Sequence, residues 1–431
     1  MHLARRSYIL IMLTAVIAIG GIWSNDRQLA LLWRVPAALL LLGLAVEGVA
    51  VRRLQPRVRI DTATPAFLGR LQRGVFVFSN RASRPLPLEY APVTPAGFEA
   101  PRAVRRLTVP AGGAREDALE LLPVRLGPQP WPGLPARLRG PLALAWWDAM
   151  LQPAARCLVA PDTLRGSARA RGLASGTRAR RSAGAGQELY QLRAYVRGDP
   201  LTRIDWKASA RSAALISRDY SEDQHLDILV AIDAGRLSRV RAGALDRLAL
   251  YSNAAARLAE IVTHNDDRIG LIVYAGRVLA SCPPGRGLPA VARLRNTLAQ
   301  LAVQAAESDP LSAAISIRNL LRQRALIVLL TDLDDANIAA SLARAVRLLA
   351  PPHLVLVGGV HSGEIEALAR SDARAWQDPW IALAAAEHEQ RAARQRLLLQ
   401  RLGVPVVAAP AERLEGALFE RYEALRRSRR V

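Results

Sequence analysis

Residues 325–332 read Ala-Leu-Ile-Val-Leu-Leu-Thr-Asp, six apolar residues closed by a hydroxyl and an acid. An uninterrupted apolar run of strand length marks a strand buried on both faces, as in a parallel sheet covered by helices. The same pattern repeats outward from it. Ile228 to Ile232 and Ile269 to Tyr274 precede it as strands, and His353 to Val357 and Val404 to Ala408 follow it. Helical spacing runs over 242–263, 288–303, 311–322, 338–350, 381–402 and 412–427. Apolar strands alternating with amphipathic helices predict a doubly wound α/β domain over 225–431.

In such sheets functional groups gather at the carboxyl ends of the strands. Asp233 follows the first strand, Thr331 and Asp332 follow the central one, and Asp309 precedes a helix. Their oxygens suit a hard cation such as Mg or Ca. Acids at such places also cap helices and tie turns, so both readings stand.

Upstream lies 184–220, GAGQELYQLRAYVRGDPLTRIDWKASARSAALISRDY. Glu188, Asp199, Asp205 and Asp219 are interleaved with Arg193, Arg197, Arg203, Lys207, Arg211 and Arg218, alongside three tyrosines and Trp206. A segment so dense in both charge signs pairs with itself or with a partner. It is either a structural junction or a docking surface.

The run Glu188, Leu192-Arg193, Tyr195, Gly198-Asp199 and Arg203-Ile204, continuing through Asp205-Trp206-Lys207-Ala208-Ser209-Ala210-Arg211, resembles the signature of the domain-of-unknown-function 58 family. The resemblance places that motif over 186–224 and implies that a von Willebrand factor A-like domain follows it. It further implies action with a MoxR-type AAA+ ATPase, and, with the residues below, the expectation is a bacterial, membrane-anchored, non-catalytic adaptor that acts with that ATPase on protein clients during assembly or maturation of complexes. One departure stands out. Ion-binding members of the A-domain fold carry Asp-x-Ser-x-Ser after the first strand, whereas this chain has Asp233-Ala234-Gly235-Arg236-Leu237. Both hydroxyl positions are lost, and Arg236 could place its charge where the cation would sit. The expectation is therefore no cofactor, with Asp233, Asp309, Thr331 and Asp332 as remnants of a divalent-ion site.

The first 54 residues predict a transmembrane hairpin, with apolar spans at 8–23 and 29–51 joined by Ser24 to Gln28. A cleaved signal peptide would share the Arg5-Arg6 start, but not the second span. Arg5 and Arg6 precede the first span and Arg52, Arg53, Arg57 and Arg59 follow the second, so the positive-inside tendency puts both ends and the body in the cytoplasm. Arg34 and Glu47 lie towards the ends of the second span, where long side chains reach the interface. Short alternating runs broken by proline and glycine over 58–162 predict a small β-sandwich, with Trp131, Trp146 and Trp147 as core. Residues 163–185 read as a basic linker, either attracted to anionic lipid or simply solvated.

Composition narrows the function. A net charge of +22 would suit nucleic acid, yet Lys207 is the one lysine among 59 basic residues, a skew that also fits coding bias. Few aromatic platforms and a membrane hairpin argue against nucleic acid, and the alternative reading is a basic protein that binds nucleic acid or anionic lipid surfaces through its arginine-rich segments. No glycine run precedes Lys207, which excludes a P-loop. Cys157 and Cys282 are too few for a disulfide framework or a cysteine zinc site and read as buried small residues. The six histidines show no metal-ligand spacing and no serine elbow is present, so no enzyme is expected.

Overall fold

The computed structural model describes residues 2–23, 31–53, 55–153, 155–163, 182–184, 188–222, 226–333 and 335–427. Most of the expected linker and the turn between the apolar spans lie outside them. The chain divides into two compact units, Met1–Ala160 and Pro161–Val431.

The first unit opens with helices Arg5–Trp23 and Arg34–Arg53, which hold the two expected spans. Both are long and apolar enough to cross a membrane, and their side chains are largely exposed, Tyr8, Met12, Leu39 and Leu41 among them. The strands that follow form five-, four- and three-stranded sheets. Phe76 and Phe78 on the strand Gln72–Ser79 meet Tyr90 on Leu86–Tyr90 across two of those sheets, with ring centroids 5.9 and 4.8 Å apart. Trp131 packs edge-on to Phe76 at 5.6 Å, a core role as expected, while Trp146 and Trp147 are only half-buried.

One feature departs from the sequence reading. Glu47 does not reach outward from the second helix. It is fully buried, and its carboxylate accepts the N–H groups of Leu144 and Ala145 at 3.2 and 3.1 Å. The same turn is gripped from the other helix, because Ser7 Oγ and the Ala4 N–H both donate to the Leu144 carbonyl. His2–Leu3 adds an edge strand by pairing with Ala145 and Trp146. The start of the first helix and the end of the second thus meet the same β-turn.

The second unit is built on a six-stranded sheet in the order Val278–Gly285, Arg268–Tyr274, Asp227–Asp233, Ala325–Leu330, Leu354–Val360, Val406–Ala409. All neighbours are parallel except the first pair. Side chains alternate across a strand. Ile228, Val230 and Ile232 accordingly pack under helices Arg247–His264, Gly287–Leu298 and Ala411–Arg427, whereas Leu229 and Ala231 pack under Pro310–Leu320 and Ala336–Leu349. Both faces are covered.

Several boundaries change. The helix expected from 242 begins at Arg247, because Arg241–Ala242 and Leu245–Asp246 form a two-stranded ribbon. The edge strand Val278–Gly285 and the short helix Gly363–Ala369 were not anticipated. The basic linker is also shorter at its end, since Ser182–Gly184 pairs with Tyr220, Ser221 and Glu222 as a strand. Cys157 is buried as expected, but Cys282 is only partly so, on that edge strand.

Candidate functional site

At the carboxyl edge of the sheet, Asp233 ends the first strand and is 2% exposed. Burial pushes its carboxyl above the usual range, and three donors pull it back: Ser308 Oγ at 2.5 Å, the Gly235 N–H at 2.8 Å and Thr331 Oγ1 at 2.7 Å. The Thr331 carbonyl in turn accepts Tyr251 Oη at 2.9 Å. Of the four residues singled out in the sequence, the structure joins Asp233 and Thr331 directly.

The other two have different engagements. Asp309 caps the helix Pro310–Leu320 by accepting the Leu311 N–H at 3.1 Å, with Ser341 Oγ at 3.4 Å. Asp332 forms a buried ion pair with Arg247, the residue after the cap Asp246 of its helix. Arg236, expected to bring positive charge to this edge, instead binds Glu307 at 2.7 Å on the surface. The charge comes from Arg247. Among the described residues no group of three or more His, Cys, Asp or Glu is placed to hold a metal ion.

Gly235 stands where the ion-binding sequence has its first serine, and the structure shows what occupies that space. A Cβ built on Gly235 would lie 2.1 Å from Ser308 Oγ and 3.1 Å from Asp233 Oδ1. The Ser308 hydroxyl has taken the place of a side chain at 235. Gly235→Ala is therefore expected to destabilise the unit by about 1–3 kcal/mol through overpacking. Ser308→Ala in the same chain removes the clashing oxygen and should return part of that loss, measured by thermal melting. Equal melting of Gly235→Ala and wild type would show that the edge has room to give.

The signature motif folds as a strand, Glu188–Ala194, a short 3-10 turn at Leu201–Arg203, a helix, Trp206–Ser212, and a return strand, Ile216–Glu222. Arg193 is its hub. It bonds Asp199 bidentately at 2.8 and 2.8 Å and reaches Asp219 through Nε at 3.1 Å. The Arg193 guanidinium holds the Asp199 carboxyl below its usual range. Gly198, with φ +114°, supplies the backbone conformation that lets the chain turn back towards Arg193. Asp205 caps the helix by accepting the Lys207 and Ala208 N–H groups at 3.1 and 3.0 Å and pairs with Arg218 at 3.0 Å, which lowers its pKa. Ser209 is buried, donating to the Asp205 carbonyl and accepting from the Ile216 N–H.

The motif therefore splits in two. Arg193, Gly198, Asp199, Asp205 and Ser209 are engaged internally, and Tyr195 and Arg203 are half-buried beside them. Trp206, 66% exposed, faces solvent along with Leu201, Lys207 and Arg211. Leu201 was missed in the sequence, where a single leucine in a proline-led turn gives no signal. The side chain of Glu188 lies outside the described set.

These observations define a class: a largely parallel α/β domain, preceded by a charge-paired strand–helix–strand motif and two apolar helices. Residues 191–368 match the model of the family described as "Protein of unknown function DUF58". Comparison with curated proteins returns no match. Among solved structures, similarity extends to proximal thread matrix protein 1 from the mussel byssus, at 11% identity and TM-score 0.30, covering 47% of this chain and 46% of that one. The form of that protein with a zinc-occupied MIDAS motif gives 10% identity and TM-score 0.28, with 45% of each chain covered. The cupredoxin domain of amoB from Nitrosocaldus yellowstonii gives 10% identity and TM-score 0.17 over 24% of this chain and 86% of that one. The chain thus spans about half the length of the byssus protein, and scores this low fix neither fold nor role.

Proposed function

We propose that this protein is a membrane-anchored adaptor with no chemistry of its own. Its second unit is a doubly wound, von Willebrand A-like domain that docks a MoxR-type AAA+ ATPase, or a client of that ATPase, on the cytoplasmic face of the inner membrane. The observation that carries this reading is the division of the signature motif: its charges close on one another and leave Trp206, Leu201, Lys207 and Arg211 facing outward. A large aromatic flanked by cations is the composition of an interface hot spot.

The carboxyl edge supports the same view. A hard cation needs six to eight oxygen ligands. Here Asp332 already faces a guanidinium, and Asp233 accepts two hydroxyls and an N–H. The residues present do not fit a divalent ion, and a domain without its ion serves as a docking body. Anchoring rests on the two apolar helices, four of whose five arginines, Arg5, Arg6, Arg52 and Arg53, lie at the ends that meet the β-turn at Leu144, with Arg34 at the other end.

The test is co-purification of the full-length protein from native membranes. An AAA+ ATPase is expected with wild type, and Trp206→Ala is expected to reduce its recovery by about 30-fold, the effect of losing a ~2 kcal/mol hot spot. Trp206 is exposed, so the variant keeps its fold. Undiminished recovery would remove this face from the interface, and recovery without any ATPase would remove the partner.

A further inference from the structure

A cavity of about 560 Å³ opens in the N-terminal unit where the two apolar helices end against the β-sheets. Arg6 from the first turn of one helix and Val51 from the last turn of the other line it, together with Arg84, Leu86, Leu138 and Arg139. Three of its lining residues are arginines and none is acidic. The nearby Glu47 packs behind Gly140, where an added Cβ would fall 2.0 Å from its Cγ, and gives its oxygens to the Leu144 and Ala145 N–H groups. Its carboxylate is thereby engaged with the backbone and forms an ion pair with none of the three arginines among the described residues.

The arginines differ in their engagement. Arg6 Nη1 donates to the Leu142 carbonyl at 3.2 Å, which fixes its guanidinium at the rim. Arg84 is exposed on the loop after Asn80, and that loop is held by the Asn80 amide donating to the Arg84 carbonyl at 2.8 Å. The Arg139 Nε is buried and has no hydrogen-bond partner among the described residues. A buried guanidinium N–H without an acceptor is costly unless something supplies one. Arginine forks match phosphate oxygens.

Position selects the ligand. The first turn of Arg5–Trp23 and the last turn of Arg34–Arg53 mark one surface of any bilayer these helices cross, so the cavity opens at headgroup depth. We propose that it binds the phosphate of an anionic phospholipid, with Arg6, Arg84 and Arg139 on the phosphate and the half-buried Leu86 and Pro87 against the glycerol and first acyl carbons. The volume suits a headgroup with part of its chains and exceeds what a bare anion needs. This site rests on the membrane-anchored reading and adds a specific lipid to it.

The experiment reconstitutes the full chain in nanodiscs of phosphatidylcholine with a minor share of phosphatidylglycerol, transfers it to detergent and counts retained lipids by native mass spectrometry. Wild type should hold phosphatidylglycerol above its bulk share. Arg84→Ala and Arg139→Gln should each lower that retention about fivefold, at ~1 kcal/mol per arginine near an anionic surface, with phosphatidylcholine unchanged. Arg84→Ala alters an exposed loop residue, so a loss there does not come from unfolding. Retention equal to wild type in both variants overturns the site. Displacement of the lipid by millimolar inorganic phosphate shows a free-phosphate site and overturns the lipid assignment. A chain that fails to enter nanodiscs overturns the membrane reading and the site with it, whereas one that enters but holds no excess phosphatidylglycerol overturns the site alone.

Discussion

Arg247→Ala is expected to destabilise the α/β unit by about 3–5 kcal/mol, because it strips the guanidinium from a buried carboxylate. Arg247 and Asp332 are each 6% exposed in their side chains, so water cannot take over the lost interaction. The pair ties the first turn of the helix Arg247–His264 to the second residue past the central strand, the two elements that frame the carboxyl edge. Replacing both residues by apolar groups of similar size, as in Arg247→Met with Asp332→Leu, should recover most of the loss, since a buried pair is seldom worth more than good packing. Hydrogen exchange of the Ala325–Leu330 amides in the full-length protein reads the effect locally. Unchanged protection in Arg247→Ala would show that the pair contributes nothing, and a double variant as weak as the single would place the cause elsewhere.

The same variant probes the ion question. If the guanidinium stands in for a cation electrostatically, millimolar Mg²⁺ should partly restore protection in Arg247→Ala and leave wild type untouched, because a ligand stabilises only the state that binds it. Mg²⁺ that stabilises wild type would instead mean that Asp233 and Asp332 still hold an ion, contrary to the adaptor reading.

The central strands were legible because burial on both faces forces an unbroken apolar run, and 228–232 and 325–330 have little else they could be. The edge strand Val278–Gly285 was not, since Pro283, Pro284 and Gly285 carry the composition of a loop and only pairing with Arg268–Tyr274 makes them a strand. Ser182–Gly184 was hidden the same way. At the site, position after a strand revealed Asp233, but its donor Ser308 lies 75 residues further on and left no local trace. Arg236 attracted attention through nearness in sequence, while Arg247 reaches the edge only because the ribbon 241–246 returns the chain there before the helix begins. In the motif, charge density left self-pairing and pairing with a partner both open, because which residues face outward is set by the helix that Asp205 caps.

Glu47→Leu is expected to loosen the second apolar helix from the β-domain by about 2–6 kcal/mol, the sum for two buried N–H groups left without an acceptor at about 1–3 kcal/mol each. A buried carboxylate is costly unless hydrogen-bond donors meet it, and two backbone donors meet this one. Its two carboxylate oxygens satisfy the consecutive N–H groups of Leu144 and Ala145, in the turn whose Leu144 carbonyl is held by Ala4 and Ser7. Both helices thereby grip one turn, and the neighbouring Gly140 and Gly48 keep it close: a Cβ at 140 would strike Glu47, and one at 48 would lie 2.8 Å from the Trp147 ring. Glu47→Gln retains one carbonyl acceptor and should lose about half as much. The order wild type, Gln, Leu should appear as stepwise faster hydrogen exchange at Leu144 and Ala145 in the detergent-solubilised full chain. Gly140→Ala, which displaces the carboxylate without removing it, should fall with Leu. If all four proteins exchange alike at these two amides, the helices are tethered to the β-domain by the peptide chain alone.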